Sequence, residues 1–352
     1  MIAVHNYSIS EAPVYDQCIV SNPENLIYST RPFLTFLQEV TGEEAHCLVA
    51  EEDNHILGVF PYLLKRNERY GTVYNSLPWY GSYGACTLAD NTGSQVRNCL
   101  IDVWCAMLYD CPDLLTATAV LSPFEETYRY SYSDKLVNGT TDSRIGQITN
   151  LPDDGADLNE RLLAVFSQKT RNLVRKSLKQ GFSLVVSDDE WAWRFLHETH
   201  LENMQAIGGK AKPWEHFAAM RSHIPMEWRS IYVAMLGNMP VAGMLLFTFN
   251  KTVEYITPVV KVDYRSTQPL SFLIYNGMID AIKKGFASWN WGGTWITQES
   301  LHHFKAGWGA KDHPYTYLIH ASPGSVEIIK KNQNDVINSF PYYYVFPFNQ
   351  LT

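Results

Sequence analysis

His46-Cys-Leu-Val-Ala-Glu-Glu-Asp-Asn-His-Ile-Leu-Gly58 is an apolar run, a polar turn and a second apolar run. Ser230-Ile-Tyr-Val-Ala-Met-Leu-Gly-Asn-Met-Pro-Val-Ala-Gly243 has the same plan. Val49-Ala50 matches Val233-Ala234, and Ile56-Leu57-Gly58 matches Val241-Ala242-Gly243. In both copies the second run continues, through Val59-Phe-Pro-Tyr-Leu-Leu64 or Met244-Leu-Leu-Phe-Thr-Phe249, until polar residues turn it at 66–69 or 250–251. Such turns between apolar runs are hairpin signals, so each stretch predicts an antiparallel meander. Two similar halves point to two copies of one fold rather than one large sheet.

Helical spacing surrounds both meanders. In the first half, helices are expected at 31–40 and 95–109, with strands at 73–78 and 115–120. Asn150-Leu-Pro-Asp-Asp-Gly-Ala-Asp157 reads as a linker, which divides the chain into 1–150 and 151–352. One helix should then run from Leu158 past Leu173 to a stop at Gly181. A strand fits Phe182–Val186, and Asp188-Asp189 should cap a helix from Glu190 to about Ile207. Gly208, Gly209 and Pro213 make a loop. Gln268 to Lys284 reads as a helix, Ala287 to Trp291 as a short strand, and Tyr315 to His320 as the last strand. The mixture indicates an α+β fold, or α/β-like layers.

Composition bounds the function. The 352 residues and 46 % apolar content suit two ordinary domains. The formal charge of −8 argues against a broadly basic nucleic-acid coat. Residues 1–150 carry 8 basic and 18 acidic side chains, a net of −10, against 20 and 18, a net of +2, in 151–352. No leader or membrane-spanning run is evident, so a cytoplasmic protein is expected. The six cysteines all precede Cys111 or are Cys111 itself. None has metal-pair spacing, so reduced core thiols and no metal are expected.

Chemistry concentrates in Ser300-Leu-His-His-Phe-Lys-Ala-Gly-Trp-Gly-Ala310. Lys305 follows Phe304 and precedes a Gly-Trp-Gly turn. A cation fixed there can face the oxyanion of acyl transfer, and a surface lysine beside a helix-stopping glycine is the plainer reading. Further motifs are the basic helix Ser167-Gln-Lys-Thr-Arg-Asn-Leu-Val-Arg-Lys-Ser-Leu-Lys-Gln-Gly181, the loop Tyr264-Arg-Ser-Thr-Gln-Pro-Leu270, Trp289-Asn-Trp-Gly-Gly-Thr294 and Leu77-Pro-Trp-Tyr-Gly-Ser-Tyr-Gly84. In this order they resemble the FemAB-like branch of the GNAT acyltransferase superfamily, the transferases related to peptidoglycan interpeptide-bridge enzymes. The resemblance covers most of the chain. It implies two tandem GNAT-like domains, each a mixed, mainly antiparallel sheet flanked by helices, with the donor site in the second. It also implies acyl or aminoacyl transfer to an amine, with Phe304 and Lys305 at the active site. The inserted coiled-coil arm of some aminoacyl-tRNA users is missing, which leaves the donor open.

On this reading Lys305 stabilises charge, and Glu254 and His303 are the candidate bases, with a structural histidine as the plainer alternative. Arg265, Ser266, Thr267 and Gln268 precede a helix and can grip a donor phosphate, or simply cap that helix. Arg171 and Arg175, one turn apart, can do the same or line a solvated face. Trp79, Tyr80 and Tyr83 offer flat faces for a sugar or peptide, or pack between elements. Trp214 and Tyr255 are further candidates at a pocket edge. Acyl-CoA is the expected co-substrate, with aminoacyl-tRNA as the alternative. The partner would be a small-molecule or lipid- or nucleotide-linked amine acceptor of cell-envelope biogenesis, with peripheral membrane contact. Two other readings stay open: an aminoacyl-tRNA-dependent peptidyltransferase, and a non-catalytic glycan- or peptide-binding module.

Overall fold

Both meanders form. In the computed structural model, which describes residues 1–79, 82–136 and 139–351, β2 (Ala45–Glu52) pairs antiparallel with β3 (His55–Asn67) through a turn at Asp53 and Asn54, both with positive φ. β9 (Arg229–Leu236) pairs with β10 (Met239–Phe249) through Gly237 and Asn238. Ala50 faces Gly58, whereas Ala234 faces Ala242, so the alignment read from sequence is one residue out on the second strand. Each second strand carries one extra residue beside this pair, Leu57 or Val241, and the repeated small residues masked the slip.

The chain divides into two compact units, 1–144 with 314–352, and 145–313. This differs from the expected 1–150 and 151–352. The linker read at Asn150–Asp157 begins inside the last residue of a strand, and the C-terminal segment returns to the first unit.

In the first unit the sheet runs β1 (Ala3–Ser8), β2, β3, β4 (Gly71–Asn75), β6 (Leu114–Val120), β13 (Lys311–His320, of this unit from Pro314). A short β5 (Thr87–Leu88) pairs with β3. All contacts are antiparallel except β4 with β6, which α3 (Ser94–Tyr109) connects. Helices α1 (Asp16–Ser21), α2 (Arg31–Thr41), α4 (Arg129–Ser133), α11 (Pro323–Lys331) and α12 (Gln333–Ser339) complete it. α2 begins where Thr30 accepts a bond from Phe33 N–H and stops at Gly42, φ 72°, burying Phe33, Leu34, Phe36 and Leu37.

The second unit repeats the plan. Its sheet runs β8 (Ser183–Ser187), β9, β10, β11 (Thr252–Val260), β12 (Ser288–Thr294), β7 (Gly139–Asn150, of this unit from Ile145). Here the parallel contact is β11 with β12, joined by α9 (Pro269–Lys283). Trp289, Met278, Leu273, Met244 and Phe166 belong to its core. The single helix expected from Leu158 is two, α5 (Leu158–Val165) and α6 (Gln168–Ser177). Phe166 is extended and Ser167 restarts the helix by accepting from Thr170 N–H at 3.3 Å. α7 (Glu190–Ala206) matches expectation, but not its cap. The Asp188 carboxylate accepts from Trp193 Nε1 at 3.0 Å and pairs with Arg229 at 2.7 Å, and Asp189 makes no side-chain cap. α8 (Trp214–His223) was not visible in the residue pattern, and α10 (Glu299–Gly307) carries the Lys305 motif.

Candidate active site

The parallel pair β11 and β12 decides the site's shape. They pair only from Thr252 to Glu254 against Ser288 to Asn290. Beyond that point Tyr255–Val260 pair with β10, and Gly293–Thr294 pair with β7. β11 also carries an extra residue, Ile256, between its Tyr255 and Thr257 partners on β10. The bulge turns the strand away from β12 and leaves a notch between the strand ends.

Lys305 sits at the β12 side of this notch and is 4 % exposed. Its ammonium donates to Gly292 O at 3.1 Å, Gly293 O at 3.2 Å and Thr294 Oγ1 at 2.7 Å. An ammonium has three N–H groups, and all three hold the end of β12. Thr294 Oγ1 in turn donates to Gln147 Oε1 at 3.1 Å. Burial pushes Lys305 down to about 8. It is therefore no surface lysine.

The Gly-Trp-Gly turn has a packing cause. A Cβ on Gly307 would meet Thr170 Oγ1 at 2.7 Å, and one on Gly309 would meet Val165 Cγ1 at 2.3 Å. Gly309 also has φ 78°. Ser167 N–H donates to Gly307 O at 2.9 Å, so the break between α5 and α6 is where α10 docks. Trp308 is buried, its ring edge-on to Phe166 at 4.9 Å.

Glu254 is buried at the last paired position of β11 and accepts from Asn290 Nδ2 at 3.2 Å. Asn290 was quoted in a motif but not singled out; the signal was its register opposite Glu254. Tyr255 lies next, against Trp291 at 5.0 Å and Trp289 at 6.0 Å. Its hydroxyl is buried without a hydrogen-bond partner among the described residues, and burial holds its pKa far above the usual tyrosine range. Phe304 closes on Trp291 at 5.9 Å and stays partly exposed. His303 points elsewhere: it is exposed and its Nδ1 is bonded to Glu299 O at 2.7 Å.

The donor-loop candidates lie at the start of α9. Val262–Thr267 is a 3-10 turn, Gln268 has φ 64°, and Pro269 opens the helix. Thr267 Oγ1 donates to Tyr264 O at 2.7 Å, and Gln268 Nε2 to Arg265 O at 2.9 Å. Both side chains therefore brace the turn, while Arg265 and Ser266 are exposed. α6 reaches this turn through Lys176, whose Nζ donates to Ser266 O at 2.9 Å. Arg171 is occupied at its own helix start, by Phe166 O at 2.7 Å and Gln168 Oε1 at 2.6 Å. Arg175 is exposed.

Residues 165–306 match the family described as the acetyltransferase (GNAT) domain. This segment is a GNAT domain. By that class the chain is an acyltransferase, and its whole length has the FemAB-like form of the fold. The chain is similar to the crystal structure of FemX, at 13 % identity, 89 % coverage of this chain, 96 % of FemX and a TM-score of 0.71. It is also similar to a conserved protein of unknown function from Bacteroides thetaiotaomicron, at 11 % identity, 92 % and 100 % coverage and a TM-score of 0.56. A third likeness is to the C-terminal domain of a putative lysylphosphatidylglycerol synthetase from Agrobacterium fabrum, at 11 % identity, 82 % and 88 % coverage and a TM-score of 0.53. No curated protein matches the chain in sequence.

The GNAT domain holds a second, half-buried lysine that sequence reasoning passed over. Lys212 Nζ donates to Thr257 Oγ1 at 3.2 Å, on β11 just past the bulge, and its backbone N–H donates to His200 Nε2 at 3.0 Å. Burial lowers Lys212 to about 8. Trp214, by contrast, is packed: the Arg194 guanidinium lies 4.1 Å above its ring and His197 is 5.5 Å away.

Of the first unit's aromatic candidates, Tyr83 is a core ring, edge-on to Tyr28 at 5.2 Å and Tyr315 at 5.0 Å. Trp79 packs against Phe36 at 4.9 Å. Tyr80 lies outside the described residues. Among the described residues, no cluster of three or more His, Cys, Asp or Glu side chains can hold a metal ion. The six cysteines are free, and no described helix is long and apolar enough to cross a membrane.

Proposed function

We propose that the chain is an N-acyltransferase that moves an acyl group from an acyl-CoA thioester to an amine of an amino sugar or cell-envelope precursor. The observation that carries this is Lys305, a buried ammonium fixed at the mouth of the β11–β12 notch. The amine nitrogen attacks the thioester carbonyl, an oxyanion forms, the C–S bond breaks and the thiolate leaves. Lys305 fixes the carbonyl-bearing end of β12 and supplies positive charge where the oxyanion develops. Glu254, oriented by Asn290, takes the proton the amine loses. Tyr255, with an unpaired hydroxyl, binds the polar part of the reacting pair. Arg265 and the first turn of α9 hold the donor phosphates, with Arg175 beside them on α6.

A second reading is favoured by a specific observation: Arg175 and Lys176 are exposed at the end of α6, Lys179 is exposed in the turn that follows, and Lys176 already grips the α9 turn. That basic face suits the phosphates of a charged tRNA as donor. The test supplies acetyl-CoA, longer acyl-CoAs and aminoacyl-tRNA separately, with glucosamine as acceptor, and follows melting temperature and free thiol. A donor stabilises the protein by mass action. Stabilisation and thiol release with acyl-CoA support the first reading. Stabilisation by charged tRNA alone, weakening steeply with salt, replaces it with the second.

A further inference from the structure

A strand that leaves its neighbour strips peptide groups of their partners. Past Glu254, β11 has no strand paired on its β12 side. Val260 lies opposite Ala242, and Lys261 N–H donates to Val241 O at 2.9 Å. In an antiparallel ladder that pattern turns the N–H and C=O of Val260 away from β10, to the open edge. Pro258 stands two residues earlier on the same edge, exposed, and has no N–H to leave unpaired.

Helix α7 supplies the missing partners. The Asn203 side chain donates through Nδ2 to Val260 O at 2.9 Å, and its Oδ1 accepts from Val260 N–H at 3.1 Å. One carboxamide thus takes both peptide groups, as a neighbouring strand would. One turn earlier on the helix, His200 Nε2 accepts from Lys212 N–H at 3.0 Å, and Lys212 Nζ donates to Thr257 Oγ1 at 3.2 Å. Burial lowers His200 to about 4, so its ring is neutral and keeps an acceptor nitrogen. α7 sits this close because position 243 on β10 has no side chain. A Cβ on Gly243 would meet Phe195 Cε1 at 3.3 Å, Leu196 Cδ1 at 3.4 Å and Val259 Cγ2 at 3.4 Å. The two grips, at Thr257 and Val260, lie just beyond the bulge at Ile256.

We infer that α7 is a clamp that holds the β11–β12 notch open, and that Asn203 and Lys212 are positioning residues for the reacting pair. They act through β11. Each fixes the half of the strand that has left β12, so that Glu254 and Tyr255, just before the bulge, keep one orientation. The consequence for turnover rests on the acyl-transfer reading, whereas the clamp rests on the geometry of α7 and β11.

The experiment pairs hydrogen exchange of the full chain, read by mass spectrometry, with steady-state kinetics on acyl-CoA and glucosamine. In Asn203→Ala, residues 255–260 are expected to exchange about tenfold faster while β9 and β10 keep their protection. The same variant should lower kcat about tenfold and move KM by less than about twofold, because misplacement acts on the reacting geometry. A side chain that only stabilised the fold would speed exchange throughout the unit and leave the folded enzyme's kcat alone. Asn203→Gln, which carries the same carboxamide, should recover part of both effects. Lys212→Met should repeat the pattern at about threefold, and it decides the matter should Asn203→Ala not fold. Unchanged exchange over 255–260 overturns the clamp. Faster exchange there with unchanged kcat overturns the positioning role. If the wild-type chain transfers no acyl group from any donor, the acyl-transfer reading falls and the positioning role with it, while exchange over 255–260 still decides the clamp.

Discussion

The two parallel strand pairs, β4–β6 and β11–β12, are built alike and finished differently. In the first unit the strand ends are stitched together. Ser76 N–H donates to Thr118 O at 2.8 Å, Val120 N–H to Ser76 Oγ at 2.8 Å, and Gly84 N–H to Val120 O at 2.8 Å. The Asn75 side chain donates to Tyr344 O at 2.8 Å and accepts from Tyr344 N–H at 2.7 Å. In the second unit the corresponding ends part at a bulge, with a tyrosine hydroxyl left unpaired and a buried ammonium holding one lip. A gap in a sheet exposes backbone groups that must find partners. One copy satisfies them from its own C-terminal segment. The other ends its pairing at Glu254 and Asn290 and is held there by Lys305.

If the open notch is the catalytic one, the largest effect belongs to its lip. Lys305→Met is expected to lower turnover about 100-fold or more, near 2.7 kcal/mol of barrier. It should also lower the melting temperature, since Gly292 O, Gly293 O and the buried Thr294 Oγ1 lose their donor. Loss of stability with unchanged turnover would reduce Lys305 to a clamp and erase the contrast. Glu254→Gln comes next, at about tenfold to a hundredfold in kcat. Steady-state kinetics with full retention of rate would remove Glu254 from the proton-accepting role. Gly309→Ala should destabilise the chain by about 2 kcal/mol in denaturant titration, through the clash with Val165 and its φ. On the stitched side, Asn75→Ala is expected to cost about 1–2 kcal/mol of stability and leave turnover alone. A turnover defect in that variant would show that the first unit's stitched strand ends take part in the reaction.

The pH profile gives the finest distinction. Lys305 and Lys212 are both lowered to about 8. Below pH 8 each is charged in folded and unfolded chains alike. Between about 8 and the unfolded lysine value near 10.4, the unfolded chain binds more protons, so stability rises with pH. Activity that needs a charged Lys305 falls over the same interval. Lys305→Met should remove part of the stability slope, and urea titrations at pH 7 and 10 would measure it.

The meanders, most helices and the Lys305 motif were legible because each rests on local periodicity or turn residues. What escaped depends on distant partners. Nothing near Phe166 and Ser167 announces that Gly307 will dock there and split a helix. Arg171 and Arg175 look equivalent at one-turn spacing, yet one is consumed by Phe166 O and Gln168. Asn290 gains meaning only from its register beside Glu254. The Asp188 cap failed because Trp193 and Arg229 compete for its carboxylate. Tyr83 read as a displayed aromatic and is a core ring. The C-terminal return was invisible because β13 and Tyr344 match strands about two hundred residues earlier or more, and no local pattern encodes such a pairing.

That return has a consequence for biogenesis. β6 waits for Tyr317–His320, and Asn75 waits for Tyr344. While the chain is still emerging from the ribosome, the acidic amino-terminal unit lacks a strand and keeps an edge open to aggregation, even after the GNAT domain has been fully translated. Shortening the carboxyl terminus should therefore damage the unit begun first and spare the unit of residues 145–313.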